Sequence, residues 1–196
     1  MNLTLIAIKA LMFKARAFER STGDPLKVQE KVLYEYLGRN RDTEYGRKYR
    51  FSGIKSIKDY QAFVPMSDCE SLRPYITRMT KGEDNILTSD KPIFFGLTSG
   101  TTNHPKLIPV TKYSRDRKSE VSDLWAYYIS RDHPDIFKGK ILAIVNSEAE
   151  GFTESGCPYG TETGHGYKNL PEFVRNLYAI PYQVYDIKDY ASRYYC

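Results

Sequence analysis

The apolar positions change their spacing along the chain, and those changes divide it. Leu3, Ile6, Ala7, Ala10, Leu11, Ala17 and Phe18 fall near one helical face, with Lys9, Arg16 and Arg20 mostly elsewhere. This predicts an amphipathic N-terminal helix packed on the body of the protein. Asp24-Pro25 is a helix-start pair, and Val28, Val32, Leu33, Tyr36 and Leu37 form a stripe expected to stop near Gly38. Ser56-Ile57-Lys58-Asp59 and Ser67-Asp68-Cys69-Glu70 both fit a capping box and predict short helices near 57–63 and 68–80, separated by Pro65. Ile93 to Leu97 reads as a strand. Leu107-Ile108-Pro109-Val110-Thr111 is β-favouring, and Pro109 bars a helix interior. From Thr111 or Lys112 to Arg131 the spacing returns to that of a long helix, expected to bury Val121, Leu124, Trp125 and Tyr128, with Trp125 as a core anchor. The continuous apolar run Ile141 to Val145 predicts a buried parallel strand. Further helices are expected near 170–178 and from Asp186 onward.

Strand, long helix and buried strand in succession predict an α/β fold, a partial layered sheet with packed helices. Residues 1–90 read as a helical N-terminal segment and 91–196 as the α/β part. Gly151 to Tyr167 is rich in Gly, Thr and Ser and follows the predicted buried strand. Open α/β sheets hold ligands at such places, so Tyr159, Thr161 or His165 could face a carboxylate there; an ordinary connection fits equally well. The basic, aromatic-laced connector Arg39 to Arg50 suggests RNA contact at first sight. Asp42 and Glu44 interrupt its charge, and a solvated loop with partly packed tyrosines is the better reading.

Composition narrows the class. The chain has 196 residues, 41% hydrophobic and 27% charged, which are values of a folded globular protein. A formal charge of +5 suits an anionic ligand without signalling a nucleic-acid binder. Seventeen tyrosines point to broad half-buried surfaces. Cys69, Cys157 and Cys196 are widely separated, and no Cys-x-x-Cys pair exists, so neither a disulfide framework nor a zinc site is signalled. His104, His133 and His165 lack metal-ligand spacing. The expectation is a reducing, cytoplasmic setting with no metal site of the protein's own. The opening residues carry no positive charge ahead of the apolar core, and Lys9 interrupts it, unlike a signal peptide. No stretch is long enough to span a bilayer, so no membrane partner is expected.

The distinctive chemistry lies between the two predicted strands, in Phe94-Phe95-Gly96-Leu97-Thr98-Ser99-Gly100-Thr101-Thr102-Asn103-His104-Pro105-Lys106. The hydroxyls of Thr98, Ser99, Thr101 and Thr102 and the backbone N–H groups around Gly100 can all point at one anion. Lys106 adds a full positive charge, and no carboxylate falls between Asp90 and Asp116. That is the chemistry of a phosphate cradle. A Walker loop would place its lysine after a glycine and run into a helix; here Lys106 follows Pro105 and a β-favouring segment follows Lys106. The plain alternative is a polar hairpin turn rich in Ser, Thr and Asn.

Thr98-Ser99-Gly100-Thr101-Thr102-Asn103-His104-Pro105-Lys106 resembles the phosphate loop of adenylate-forming enzymes. With Leu107-Ile108-Pro109-Val110-Thr111 behind it, the chain is similar to the auxin-responsive acyl acid–amido synthetase (Gretchen Hagen three) family, including its bacterial members. Thr43-Glu44-Tyr45-Gly46-Arg47, Phe63-Val64-Pro65-Met66, Tyr75-Ile76, Pro158-Tyr159-Gly160 and Leu177-Tyr178-Ala179-Ile180-Pro181 agree with that branch. Many adenylate-forming enzymes carry glycine where Asn103 stands; asparagine is among the few residues that tolerate positive φ.

The resemblance implies the fold of an adenylate-forming large domain, ATP with Mg²⁺, and a small carboxylic acid and an amine or amino acid as substrates. It implies nucleotide binding by Thr98, Ser99, Gly100, Thr101, Thr102 and Lys106, with Lys106 also catalytic. The family's adenine- and ribose-holding motifs have no counterpart here. The chain is therefore expected to be the N-terminal part of the enzyme, inactive alone, with the missing C-terminal part as a potential separate partner. The rival reading is a non-catalytic relic or interaction module that needs a second polypeptide.

Overall fold

The computed structural model describes residues 11–98, 106–147, 149–187 and 189–195. Most of the expected N-terminal helix precedes them, and the part described is α1, Met12–Ser21. Helix α2, Pro25–Asn40, starts as expected: the Asp24 carboxylate accepts the Lys27 N–H at 3.2 Å, and Pro25 occupies the first turn. It runs past Gly38 to Asn40, because no turn is needed there.

The basic connector is more ordered than a solvated loop. Residues Glu44–Lys48 form α3, capped by Thr43, whose side chain is fully buried. The Thr43 hydroxyl accepts the Gly46 N–H at 2.9 Å and donates to the Asn40 carbonyl at 2.7 Å. The Glu44 and Tyr45 N–H groups donate to the carbonyls of Asn85 and Ile86. These bonds satisfy the free donors at the start of α3 and tie the connector to the segment leading into the sheet. Tyr45 packs against Tyr49, Phe51 and Tyr75.

Both capped helices form where the sequence predicts them: α4 is Ile57–Phe63 and α5 is Cys69–Thr80. Their caps differ in detail. Ser56 accepts the Asp59 N–H, but the Asp59 carboxylate reaches back to the Lys55 N–H. In α5 the cap is Asp68 rather than Ser67, and Ser71 completes the box.

Strands β1, Pro92–Thr98, and β2, Lys106–Thr111, form an antiparallel hairpin. Pro109, which lacks the N–H a central strand would use, is tolerated because β2 lies at the sheet edge. Helix α6, Lys112–Asp132, follows at once through a capping box of Thr111 and Ser114. It turns only part of the predicted stripe inward, with Leu124 and Tyr128 half-buried. Ser130 is buried, whereas Val121 and Trp125 are 66% and 62% exposed. Nine residues make two and a half turns, so Val121 and Ser130 face opposite ways. Helix α1 meets α6 through the Lys14–Asp123 ion pair at 2.8 Å and the Tyr128–Glu19 hydrogen bond, leaving Trp125 uncovered among the described residues.

The run Ile141 to Val145 is not a sheet strand. It lies extended, with Leu142 and Ile144 exposed and alternate residues half-buried. Its bridge among the described residues joins Ile141 to Tyr178 in parallel. The Tyr185 hydroxyl donates to the Ala143 carbonyl and holds the same side. The place beside β1 is taken instead by β4, Pro158–Gly160, parallel to β1 and antiparallel to β3, Gly151–Phe152. Among the described residues the sheet therefore has four strands in the order β2-β1-β4-β3. The Gly-rich segment expected as a loop thus supplies two strands and helix α7, Glu162–Lys168.

Short helices α8, Glu172–Arg175, α9, Tyr182–Tyr185, and α10, Tyr190–Tyr195, replace the two longer ones expected. Tyr167, Tyr178, Tyr182 and Tyr185 pack together, and the Tyr167 hydroxyl donates to the Ile180 carbonyl at 3.0 Å. The core on one sheet face is Met79, Ile86 and Phe95, flanked by Tyr75, Ile76, Leu87, Leu107 and Tyr159.

Several exposed carboxyls sit below their ordinary value in the folded chain. For Asp68 the main cause is the Ser71 N–H, for Asp59 the Lys55 N–H, and for Glu70 the Arg73 guanidinium. A carboxyl depressed on folding stabilises above its unfolded value, and that stabilisation is lost as pH falls through the folded one. The melting midpoint is therefore expected to hold near neutrality and to fall once pH drops through 3.8, the ordinary aspartate value. A midpoint flat down to the most acid buffers in a thermal scan would contradict this.

Candidate functional site

The mouth of the β1–β2 hairpin is the candidate site. Thr98 and Lys106 are register partners there, so a hydroxyl and an ammonium start from adjacent backbone positions. Antiparallel partners lie about 5 Å apart and share a sheet face. Ser99, Gly100, Thr101 and Thr102, the other predicted cradle residues, lie outside the described residues, as does Asn103. The two strands expected on either side are present, β1 ending at Thr98 and β2 beginning at Lys106.

Each face of the hairpin is backed differently. On one face Phe95 and Leu107 pack towards α5. A cleft of about 470 Å³ opens between α5 and β2, lined among others by Cys69, Leu72, Arg73, Thr77 and Lys106. Arg73 is held by Glu70 at 2.5 Å. The Arg73 guanidinium lowers the Glu70 carboxyl, and the Lys106 charge adds to that lowering. Lys106, first in an edge strand, thus borders this cleft as well as Thr98.

On the other face Phe94 stacks on the His165 ring at 4.1 Å. Gly96, two residues before Thr98, faces Glu162: a Cβ on Gly96 would lie 3.1 Å from the Glu162 Cγ. Lys118 of α6 reaches the Glu162 carboxylate at 2.6 Å. Tyr159 lies in β4 opposite Phe95, Thr161 caps α7, and His165 backs Phe94. Arg73, Lys118 and Glu162 escaped the sequence reading, since no local spacing connects them to the loop. Cys69 and Cys157 are free thiols, and burial pushes the Cys157 thiol up.

A family model described as the GH3 family N-terminal domain matches residues 14–196. The chain belongs to the GH3 family. Among its relatives, the indole-3-acetic acid-amido synthetase GH3.2 of Arabidopsis thaliana is 34% identical over 180 residues, covering 91% of this chain and 32% of that protein. The jasmonoyl–L-amino acid synthetase JAR4 of Nicotiana attenuata is 27% identical over 187 residues, with 91% and 32% coverage. A solved GH3.15 acyl acid amido synthetase superposes with a TM-score of 0.73 at 25% identity, over 87% of this chain and 30% of that one. This GH3 chain thus spans about a third of the length of the relatives it matches. Its mixed α/β architecture is that of the GH3 acyl acid amido synthetase structures. Among the described residues no helix is long and apolar enough to cross a membrane.

Proposed function

We propose that this chain carries the phosphate-binding part of an ATP-dependent acyl acid–amido synthetase. The observation that carries the reading is the Thr98–Lys106 pair across the hairpin mouth, in a chain of the GH3 family. Ser99, Gly100, Thr101 and Thr102 stand between them in sequence. In the proposed reaction a carboxylate oxygen attacks the α-phosphorus of ATP. A P–O bond forms, the bridging P–O bond breaks, and pyrophosphate departs. An amine nitrogen then attacks the acyl carbon, an amide forms and AMP leaves. Acid and amine are of the classes named by the relatives, a small organic acid and an amino acid.

The chain's own contribution is to hold the phosphates. Hydroxyls, N–H groups and Lys106 offset the charge that gathers on the departing pyrophosphate. Mg²⁺ enters on the phosphates. Among the described residues no three His, Cys, Asp or Glu side chains gather as a metal cage, and hydrated Mg²⁺ on a nucleotide needs none. Catalysis of the whole reaction is assigned to this part together with groups like those in the relatives' remaining length, and these 196 residues by themselves are proposed to bind without turning over.

A ligand present at a hundred times its Kd stabilises a fold by about 2.7 kcal/mol. Mg²⁺-ATP is therefore expected to raise the melting midpoint of the chain by several degrees, and Lys106→Ala to remove most of that rise. An equal rise in the variant would take Lys106 out of the role. Exposed Leu142 and Ile144 favour a second reading, an interaction module that docks on another polypeptide without meeting a nucleotide. In that case ATP protects neither protein.

A further inference from the structure

We propose that Lys118 is a second cation of the anion site and that Glu162 is the group that holds and restrains it. The inference rests on the functional reading above and extends it to residues on two other elements. Strand alternation puts Phe94, Gly96 and Thr98 on one face of β1, and α7 covers that face through the Phe94–His165 stack. Glu162, first residue of α7, lies over Gly96, where the missing side chain lets its Cγ approach the strand. Lys118 comes in from α6 and meets the Glu162 carboxylate at 2.6 Å. Thr98 is two residues further along the same face, about 7 Å at strand rise. The ion pair therefore stands within about one Debye length of the hairpin mouth.

Both partners keep solvent access, with side chains 60% and 47% exposed. An exposed pair of this kind contributes little to stability. Its position gives it another use. Lys106 opens β2 opposite Thr98, and Glu162 holds Lys118 of α6 near Gly96, so the proposed anion at Thr98 would have ammonium groups from two elements within reach. While Glu162 holds Lys118, the two charges nearly cancel at a distance. A polyphosphate arriving at the mouth competes with Glu162 for the ammonium. The pair thus tempers affinity: Lys118 attracts the ligand, and Glu162 takes back part of that attraction.

This arrangement sets opposite signs for two substitutions that a structural ion pair would treat alike. Lys118→Met leaves Glu162 unopposed beside the phosphates and is expected to weaken Mg²⁺-ATP binding by about tenfold. Glu162→Gln releases Lys118 and is expected to tighten it by about threefold, as charge terms at this separation allow. Both would be measured by calorimetric titration of the full 196-residue chain with Mg²⁺-ATP and with pyrophosphate. Urea midpoints of both variants should stay near that of the unsubstituted chain. Equal affinities in all three proteins, with Lys106→Ala still defective, would overturn this inference and leave the functional reading intact. Weaker binding by Glu162→Gln would also overturn it, since a restraining carboxylate cannot help the ligand. No ATP or pyrophosphate binding by the unsubstituted chain would overturn both.

Discussion

Phe95→Ala is expected to lower the unfolding free energy by roughly 3–5 kcal/mol, the cost of truncating a fully buried aromatic. Phe95 has no exposed surface and stands at the centre of β1, paired with Pro109 on one side and Tyr159 on the other. Its ring closes the cluster with Met79 and Ile86. The strands on either flank are tied by hydrogen bonds, so the surroundings cannot collapse fully into the space the ring leaves. Within the usual range, that places the cost towards the upper end. A urea unfolding curve with a lowered midpoint and an unchanged slope would show it. A loss under about 1 kcal/mol would mean that Phe95 is not the keystone of this face. Ile108, on the exposed outer strand, is the natural control, and its truncation should be nearly silent.

Gly46→Ala is expected to be about as damaging, 3 kcal/mol or more, for a different reason. A Cβ at Gly46 would fall well inside the Asn40 carbonyl oxygen and 2.9 Å from that of Arg41. Both obstacles are backbone at the end of α2, and neither can swing aside. The Thr43 hydroxyl bonds to Asn40 and Gly46 at once, and the Asn40 side chain accepts the Ser89 N–H at 3.0 Å. Relief would need α2 and α3 to part and break those bonds. Gly38→Ala makes the contrast, because a Cβ there meets nothing within 4 Å and the site is inside α2. It should gain roughly 0.5–1 kcal/mol from helix propensity. Equal melting points for the two alanine variants would refute the steric account.

What could be read from the residues in advance was mostly local. Ser56 marks a helix start because a cap and its partner lie three residues apart, and Ser67 signals the next helix although its neighbour Asp68 does the capping. The hairpin was visible because Pro109 and its β-favouring neighbours exclude the helix a Walker lysine would begin. Thr43 caps α3 within a stretch whose arginines give it the composition of a charged loop, so the cap has no apolar periodicity behind it. The extended run at Ile141 to Val145 has the composition of a buried strand, but apolar content does not say which strand lies beside β1. That neighbour is β4, selected by long-range packing of α7 on Phe94. The same limit governs the candidate site. Its hydroxyls and Lys106 are consecutive enough to be seen. Lys118 and Glu162 are 44 residues apart and meet over Gly96 only once the sheet has closed.

The central position of β1 bears on how the protein emerges from the ribosome. Its antiparallel companion follows within a few residues, so that half of the seam can zip while the chain is still being made. Its parallel companion begins only at Pro158, after a long helix and an extended stretch have been synthesised. Pairing across such a separation is slow, and a bare strand edge invites stray association in the meantime. The nascent hairpin therefore spends part of its early life with one flank unguarded, and that interval is when a chaperone would have most to do.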